Sequence, residues 1–266
     1  MLKDITLGQY FPGTSFLHQL DPRCKIIATL IVIVAIFLAE SLPAYGLITV
    51  FILLCFFISH LPLKLILKSL KPLWVIIILT MGIHVFTTSG TVIWQWGILH
   101  ITWEGIRQGT LMTARLIYLI VFSSLLTYTT SPIVLTDGIE HLLNPFRRVG
   151  VPAHELAMMM TIALRFIPTL LEETDRIMKA QTARGANFTS GSIMQRGRNM
   201  IPLLVPLFVS AFRRADDLAT AMEARCYRGG EGRTRMHELA YTFRDTIAMI
   251  VVIGLTAVLV AVRWFI

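Results

Sequence analysis

The chain has 266 residues, of which 55% are apolar and only 15% charged, against about a quarter charged in an ordinary soluble domain. With a mean hydropathy of +0.69, this composition excludes a disordered chain, a coiled coil and a typical soluble enzyme, and points to a multi-spanning membrane protein. The formal charge is +8, with 24 Lys and Arg, so one face should be strongly basic, while three cysteines at 24, 55 and 226 fit neither a disulfide scaffold nor a metal site.

Residues 1–22 are mostly polar and no small-residue cleavage site follows the first apolar run, so no cleavable signal peptide is expected. Asp21-Pro22 reads as a helix start, with Asp as cap and Pro in the first turn. Five apolar stretches follow, roughly 24–40, 44–60, 72–87, 110–130 and 245–265. Each is close to the ~20 residues that cross ~30 Å of hydrocarbon. Lys3, Arg23 and Lys25 flank the first, and Lys64, Lys68 and Lys71 lie between the second and third. The segment 88–109 holds only Arg107, whereas 131–244 holds 15 of the 24 basic side chains. The positive-inside rule then puts the N-terminus, loop 61–71 and 131–244 in the cytoplasm, and loop 88–109 and the C-terminus outside. Trp94, Trp96 and Trp103 suit an interfacial aromatic belt, and the alternation through Ile98, His100 and Thr102 fits a short hairpin.

His84 lies in the third span and Arg115 in the fourth. His84 reads as a hydrogen-bonded interfacial side chain, and Arg115 can snorkel or pair with Glu104. Cys24 and Cys55 read as apolar lining.

The segment 131–244 is neither a plain loop nor a soluble domain. Pro132, Pro145 and Pro152 divide it. A short amphipathic helix is expected over 133–144. A long one follows over 153–184, where Leu156, Met159, Met160, Ala163, Phe166, Ile167, Leu170 and Leu171 recur at helical steps, with a bend at Pro168 and a stop at Gly185. A third is expected over 192–228, interrupted by Pro202 and Pro206 and ended by Gly229-Gly230. Its apolar middle, Ile201 to Phe212, is too short to span, so it should pack inside other helices. Glu172 and Glu173 read as solvated or paired with Arg176. Met158-Met159-Met160 reads as packing. The triplet Asn187-Phe188-Thr189 matches a glycosylation acceptor by chance, since it falls on the cytoplasmic side.

The two long helices end alike. One ends Ala180-Gln181-Thr182-Ala183-Arg184-Gly185 and the other Ala221-Met222-Glu223-Ala224-Arg225-Cys226, at an offset of 41 residues that also relates Asp175 to Asp216. Small residues beside each Arg permit close approach to another surface, and the guanidinium fork can hold a carboxylate in two hydrogen bonds. The ordinary alternative is a solvated cation at a helix C-terminus, favoured by the macrodipole by ~0.3–1 kcal/mol.

These residues resemble the T component of energy-coupling factor (ECF) transporters, the vitamin and metal importers of prokaryotes. The likeness covers most of the chain. It is carried by SFLHQLDPRCKI (15–26), ITWEGIRQGTLMTARL (101–116), the long stretch from NPFRRVG to ARGANF (144–188) and AMEARCY (221–227). The resemblance implies an all-α membrane protein of about five transmembrane helices plus long cytoplasmic amphipathic coupling helices. It implies a membrane domain over 1–130, a coupling region over 131–244 and a last span over 245–266. It also implies that the chain joins two ABC-type ATPase subunits to a small membrane substrate-binding (S) subunit in a prokaryotic cell membrane. Arg184 would dock on one ATPase and Arg225 on the other, with Ala183, Gly185, Ala224 and Cys226 as small flanks. Cys226 departs from the family, which often has Gly there. Phe166, Pro168, Leu203 and Phe208 are the expected contacts with the substrate-binding subunit.

No G-x-x-x-x-G-K-[ST], H-E-x-x-H or G-x-S-x-G sequence occurs, so neither ATP binding nor catalysis by this chain is expected, and no catalytic residue, metal or cofactor is assigned. A stand-alone permease is the alternative, but the spans carry few of the midplane polar groups and broken helices such carriers use. Nucleic acid is not an expected partner, because 11 acidic residues interleave the basic ones in 131–244. Anionic lipid accounts better for Lys64, Lys68, Lys71, Arg147 and Arg148.

Overall fold

The computed structural model describes residues 10–96, 99–186, 188, 192–229 and 239–265; Lys3, Ile98, Asn187, Thr189 and Gly230 lie outside the described residues. These residues divide into two compact units, 10–138 with 239–265 and 139–229. The last helix therefore groups with the N-terminal ones.

In the first unit, helix α1 (Pro22–Leu38) begins where the sequence places it. The Asp21 carboxylate accepts the Arg23 amide at 2.8 Å, and Pro22 occupies a first-turn position whose N–H would have no partner in any case. A three-residue turn leads to α2 (Leu42–Ser59), which closes on His60 in the left-handed conformation. Lys64 and Lys68, expected in a loop, lie on a short helix, α3 (Leu63–Leu70), with Lys71 opening a 3₁₀ turn into α4 (Trp74–Thr87). The apolar residues of α3 and the lysines alternate at helical steps, so the segment has helix periodicity although it is not apolar enough to read as part of a span. The expected hairpin is present as antiparallel β1 (Val92–Trp96) and β2 (Leu99–Thr102), with Gln95 opposite His100. Thr102 then caps α5 (Trp103–Thr129), accepting the Gly105 amide on Oγ1 at 3.1 Å.

The core lies between α1, α2, α5 and α9 (Phe243–Phe265), around Val32, Ile36, Ile48, Phe122, Val252 and Leu259. Helices α4 and α5 approach closely because Gly105 and Gly109 face α4: a Cβ on Gly105 would sit 2.8 Å from the His84 carbonyl oxygen, and one on Gly109 3.0 Å from Met81 Sδ. One end of the unit is closed by buried charge. Asp245, 1% exposed, accepts the Asp21 amide at 2.7 Å on one oxygen, and the Thr242 amide at 2.8 Å and hydroxyl at 2.6 Å on the other. Lys25 Nζ donates to the carbonyls of His18 and Thr129 and to Thr130 Oγ1, all within 3.2 Å. The ends of α1, α5 and α9 are thereby tied by hydrogen-bonded charges, which is what makes charge tolerable at such burial.

Among the described residues five helical stretches are long and apolar enough to cross a membrane: Leu42–Ser59, Leu63–Thr87, Trp103–Thr129, Ala153–Ala183 and Phe243–Trp264. The set differs from the expected five at two places. Helix α1 has 17 residues, about 25 Å at 1.5 Å per residue. The stretch Ala153–Ala183, expected in the cytoplasm, meets the length and composition, and is the least apolar of the five.

The second unit holds the end of α6 (Pro132–Leu143), α7 (Ala153–Ala183) and α8 (Ile193–Ala224). Pro168 lies within α7, and Pro202 and Pro206 lie within α8, which is one continuous helix instead of the interrupted one expected. Each proline forfeits one backbone bond, and the turns on either side carry the helix through. The expectation that Ile201–Phe212 packs inside is not met. Ile201, Val205, Phe208 and Phe212 are all more than half exposed, while Leu203 is buried. A stretch apolar on every side has more surface than one neighbouring helix can cover. Glu173 pairs with Arg214 of α8 at 3.7 Å, not with Arg176 one turn along its own helix.

Candidate functional site

The matched ends of α7 and α8 are the same backbone device. In α7 the Gly185 amide donates to the Thr182 carbonyl at 3.0 Å and the Ala186 amide to Gln181 at 2.9 Å, with Gly185 at φ +91°. In α8 the Cys226 amide donates to the Glu223 carbonyl at 2.8 Å and the Tyr227 amide to Met222 at 3.1 Å, with Cys226 at φ +55°. This pair of crossed bonds is a Schellman closure, with Arg184 and Arg225 as the C-cap residues and a left-handed residue next. The sequence repeat therefore specifies a repeated geometry. The left-handed position after each Arg suits the glycine of α7: a side chain there costs roughly 1–2 kcal/mol, which Gly185 avoids and Cys226 bears. Helix α8 accordingly ends at Ala224, ahead of the glycine pair expected to end it.

Both tips stand free. Ala183, Arg184, Gly185, Ala224, Arg225 and Cys226 are all exposed, and neither guanidinium has a hydrogen bond or ion pair with a described residue. Among the described residues, then, neither guanidinium meets an acceptor for its five N–H donors. The Lys179–Asp175 ion pair, one turn back, is the local charge neutralisation on α7.

The tips point apart. At one place Tyr227, just past the end of α8, donates its hydroxyl to Met158 Sδ at 3.0 Å near the start of α7. At another, Glu173 meets Arg214. The two helices are thus antiparallel. Arg184 lies eleven residues past Glu173, and Arg225 eleven past Arg214. At 1.5 Å per residue each helix end stands about 16 Å beyond that ion pair in opposite directions, so the two ends are about 30 Å apart along the helix pair. The α8 tip is anchored at its base, since His154, which packs under the Tyr227 hydroxyl at 3.5 Å, is itself paired with Glu140 at 3.0 Å.

The residues expected to meet a substrate-binding subunit are dispersed in exposure. Phe208 is 61% exposed, Pro168 is exposed and Phe166 is half-buried, whereas Leu203 at 4% is covered by the chain itself and presents no free surface. Sequence reasoning missed Asp245 and Tyr227. Asp245 looked like a span boundary; its position three residues after Thr242 is the capping-box spacing that signals its role. Arg115 has a different partner from the one expected. Its Nη2 donates to the Ala39 carbonyl at 2.7 Å, at the end of α1, while Glu104 accepts from the Thr91 amide at 2.7 Å and the Thr91 hydroxyl.

Similarity to known proteins bears on this arrangement. Residues 13–237 match the model of the family CbiQ, described as a cobalt transport protein. The "Energy-coupling factor transporter transmembrane protein EcfT" of Acidaminococcus fermentans is 61% identical over 264 residues, 99% of this chain and 98% of the relative. The proteins of the same description from Thermosediminibacter oceani and Bacillus subtilis are 60% identical over 257 residues and 47% identical over 264, covering at least 97% of either chain. With its apolar spanning helices, its family match and full-length relatives at such identity, the chain belongs to the CbiQ family and, within it, to the transmembrane T components of energy-coupling factor transporters, as a multi-pass protein of the cell membrane.

Proposed function

We propose that the chain couples two ABC-type ATPase subunits to a small substrate-binding subunit, and so passes ATP-driven motion to the uptake of vitamins or related micronutrients. Arg184 inserts into a groove on one ATPase and Arg225 into the equivalent groove on the other. Carboxylates in those grooves would take the guanidinium forks in paired hydrogen bonds. The observation that carries the reading is the repeat itself: two exposed arginines, without a partner among the described residues, on matching helix closures about 30 Å apart. One partner of ordinary size cannot be gripped by both in the same way, whereas two copies of a similar subunit can.

In this reading the N-terminus is cytoplasmic, as the basic residues ask, and 131–244 is the cytoplasmic coupling region. Helix α7 lies along that face although its length would let it cross, because Arg165 falls inside its apolar stretch and acidic and basic residues crowd its second half. The exposed apolar side of α8, with Phe208, and Pro168 of α7 form the side offered to the substrate-binding subunit. Leu203 supports that side from within.

The test is co-purification. Membranes holding the chain, its ATPases and its substrate-binding subunit are solubilised, and the chain is captured by a tag. With Arg184→Glu and Arg225→Glu combined, ATPase recovery should fall at least tenfold, since each position loses charge-assisted hydrogen bonds worth about 1.5–3 kcal/mol and gains repulsion. Recovery of the substrate-binding subunit should persist. Undiminished ATPase recovery would contradict the reading.

A further inference from the structure

The first unit contains a cavity of about 390 Å³ against its charged end. Its floor is Phe122 and Leu125 of α5 with Thr29 of α1, all buried. Phe16, Leu17 and Leu20, ahead of α1, close it at the end where Lys25 lies. The exposed part of its wall belongs to two helices: Leu54 and Ile58 of α2, and Ile247 and Val251 of α9, each between 38% and 54% exposed. The mouth therefore lies between α2 and α9, beside the outward-facing Leu53 and Ile250. Both helices have membrane length, so the mouth opens sideways, toward hydrocarbon and not toward water. From Thr129 to Phe122 the cavity follows seven residues of α5, about 10 Å, which is within one leaflet's share of a ~30 Å hydrocarbon layer.

What can enter is decided by the wall, whose polar groups are spent inside the protein. Lys25 Nζ gives its three hydrogens to His18, Thr129 and Thr130. The Thr29 hydroxyl donates to the Lys25 carbonyl at 2.7 Å, and the Thr129 hydroxyl to the Leu125 carbonyl at 2.8 Å. The Cys55 thiol behaves as a small apolar group, and the rest of the wall is aliphatic or aromatic. A headgroup, an ion or water therefore finds no free donor there. An apolar cavity of ~150 Å³, less than half this size, already stays dry and takes up benzene instead.

We infer that this cavity holds one acyl chain of a bilayer lipid, which enters between α2 and α9 and lies against Phe122 and Leu125. Hydrocarbon is the solvent at the mouth, and it asks for no hydrogen bond from a wall that has none to give. It also restores the van der Waals contacts that an empty cavity denies its lining. The lipid's headgroup stays outside, in the leaflet at the charged end. The site is distinct from the helix tips and does not depend on what they dock to.

The experiment is photo-labelling of the whole transporter in liposomes that contain a phosphatidylcholine bearing a diazirine near the middle of one acyl chain. After irradiation, adducts are located by peptide mass spectrometry. They are expected on Phe122 and Leu125, behind the mouth, as well as on the outward-facing Leu53 and Ile250. Ala248→Phe, on the α9 side of the wall, narrows the mouth and should cut the adducts on Phe122 and Leu125 about tenfold, or ~1.4 kcal/mol against entry. Those on Leu53 and Ile250 should persist, which also reports a folded and inserted protein. Val251→Trp, at a half-exposed position on the rim, carries the same test without touching the core. Adducts confined to Leu53 and Ile250 would overturn the proposal and leave the cavity to a protein segment. Adducts on Phe122 and Leu125 undiminished in both variants would overturn it too, since the label would then arrive by another route.

Discussion

The two units solve the problem of exposed groups in opposite ways. In 10–138 with 239–265 the charges at one end are buried and saturated. Asp245 takes three hydrogen bonds, and Lys25 gives three. Its outward apolar residues, such as Leu30, Phe37, Leu53 and Ile76, belong to helices of membrane length and need only lipid. In 139–229 the reverse holds. Arg184 and Arg225 are exposed and have no partner among the described residues, and the apolar run of α8 from Ile201 to Phe212 is about 18 Å long, too short for the bilayer and bounded by Arg198, Arg213 and Arg214. The first unit is complete in lipid. The second has free polar tips and a free apolar side, the condition of a surface that other subunits complete.

That contrast can be broken from either side. The largest effect is expected in the first unit. Asp245→Ala leaves the Asp21 and Thr242 amides without their acceptor and removes one of the two carboxylates that act on Lys25, Asp21 being the other, at a cost of about 3 kcal/mol. Thermal unfolding of the purified chain should show a clear fall in Tm. Asp245→Asn, which keeps one acceptor oxygen, should cost less. ATPase co-purification from fresh membranes should change little for the Asn variant, because the docking tips lie elsewhere.

Next comes the contact of α4 with α5. Gly105→Leu puts a side chain where even a Cβ lies 2.8 Å from the His84 carbonyl oxygen. The helices must part, at about 1–3 kcal/mol, and cysteine cross-linking between residues 81 and 113 should decline as they do. An unchanged cross-link would mean that the α4–α5 approach is not set by the glycines.

The smallest effects are expected at the tips, and there they report docking more than stability. Gly185→Val forces a β-branched residue to φ +91° and should cost roughly 1–2 kcal/mol of local closure. Amides 185 and 186 would exchange faster, with ATPase recovery reduced and Tm nearly unmoved. Cys226→Gly should do the opposite, relieving up to about 1 kcal/mol and slowing exchange at amides 226 and 227. If Gly185→Val lowered Tm as much as Asp245→Ala, the division of labour between the two units would be wrong.

Much of this was legible in the residues. The Asp21-Pro22 start, the hairpin and the extents of α6 and α7 follow from caps, alternation and period, all of them local signals. The repeated helix ends were visible as a pattern, and the family they resemble is the family to which the chain belongs. What was not legible is non-local. Asp245 receives the amide of a residue 224 positions away, Arg115 turns to Ala39 instead of Glu104, and Glu173 crosses to Arg214. Periodicity locates a helix face but not what covers it, so Ile201–Phe212 was expected to be buried and is exposed. The meaning of the residue after each arginine also needed backbone angles: both positions are left-handed, which glycine adopts freely and Cys226 does not.

The claim that two arginine tips engage two separate ATPase subunits is tested most directly by site-specific photo-cross-linking. A photoreactive residue replaces Ala183 in one variant and Ala224 in the other, next to Arg184 and Arg225, in membranes holding the whole transporter with two distinguishable ATPase subunits. The expected result is one ATPase cross-linked from position 183 and the other from position 224. Adducts with lipid alone, or with the same ATPase from both positions, would contradict the account.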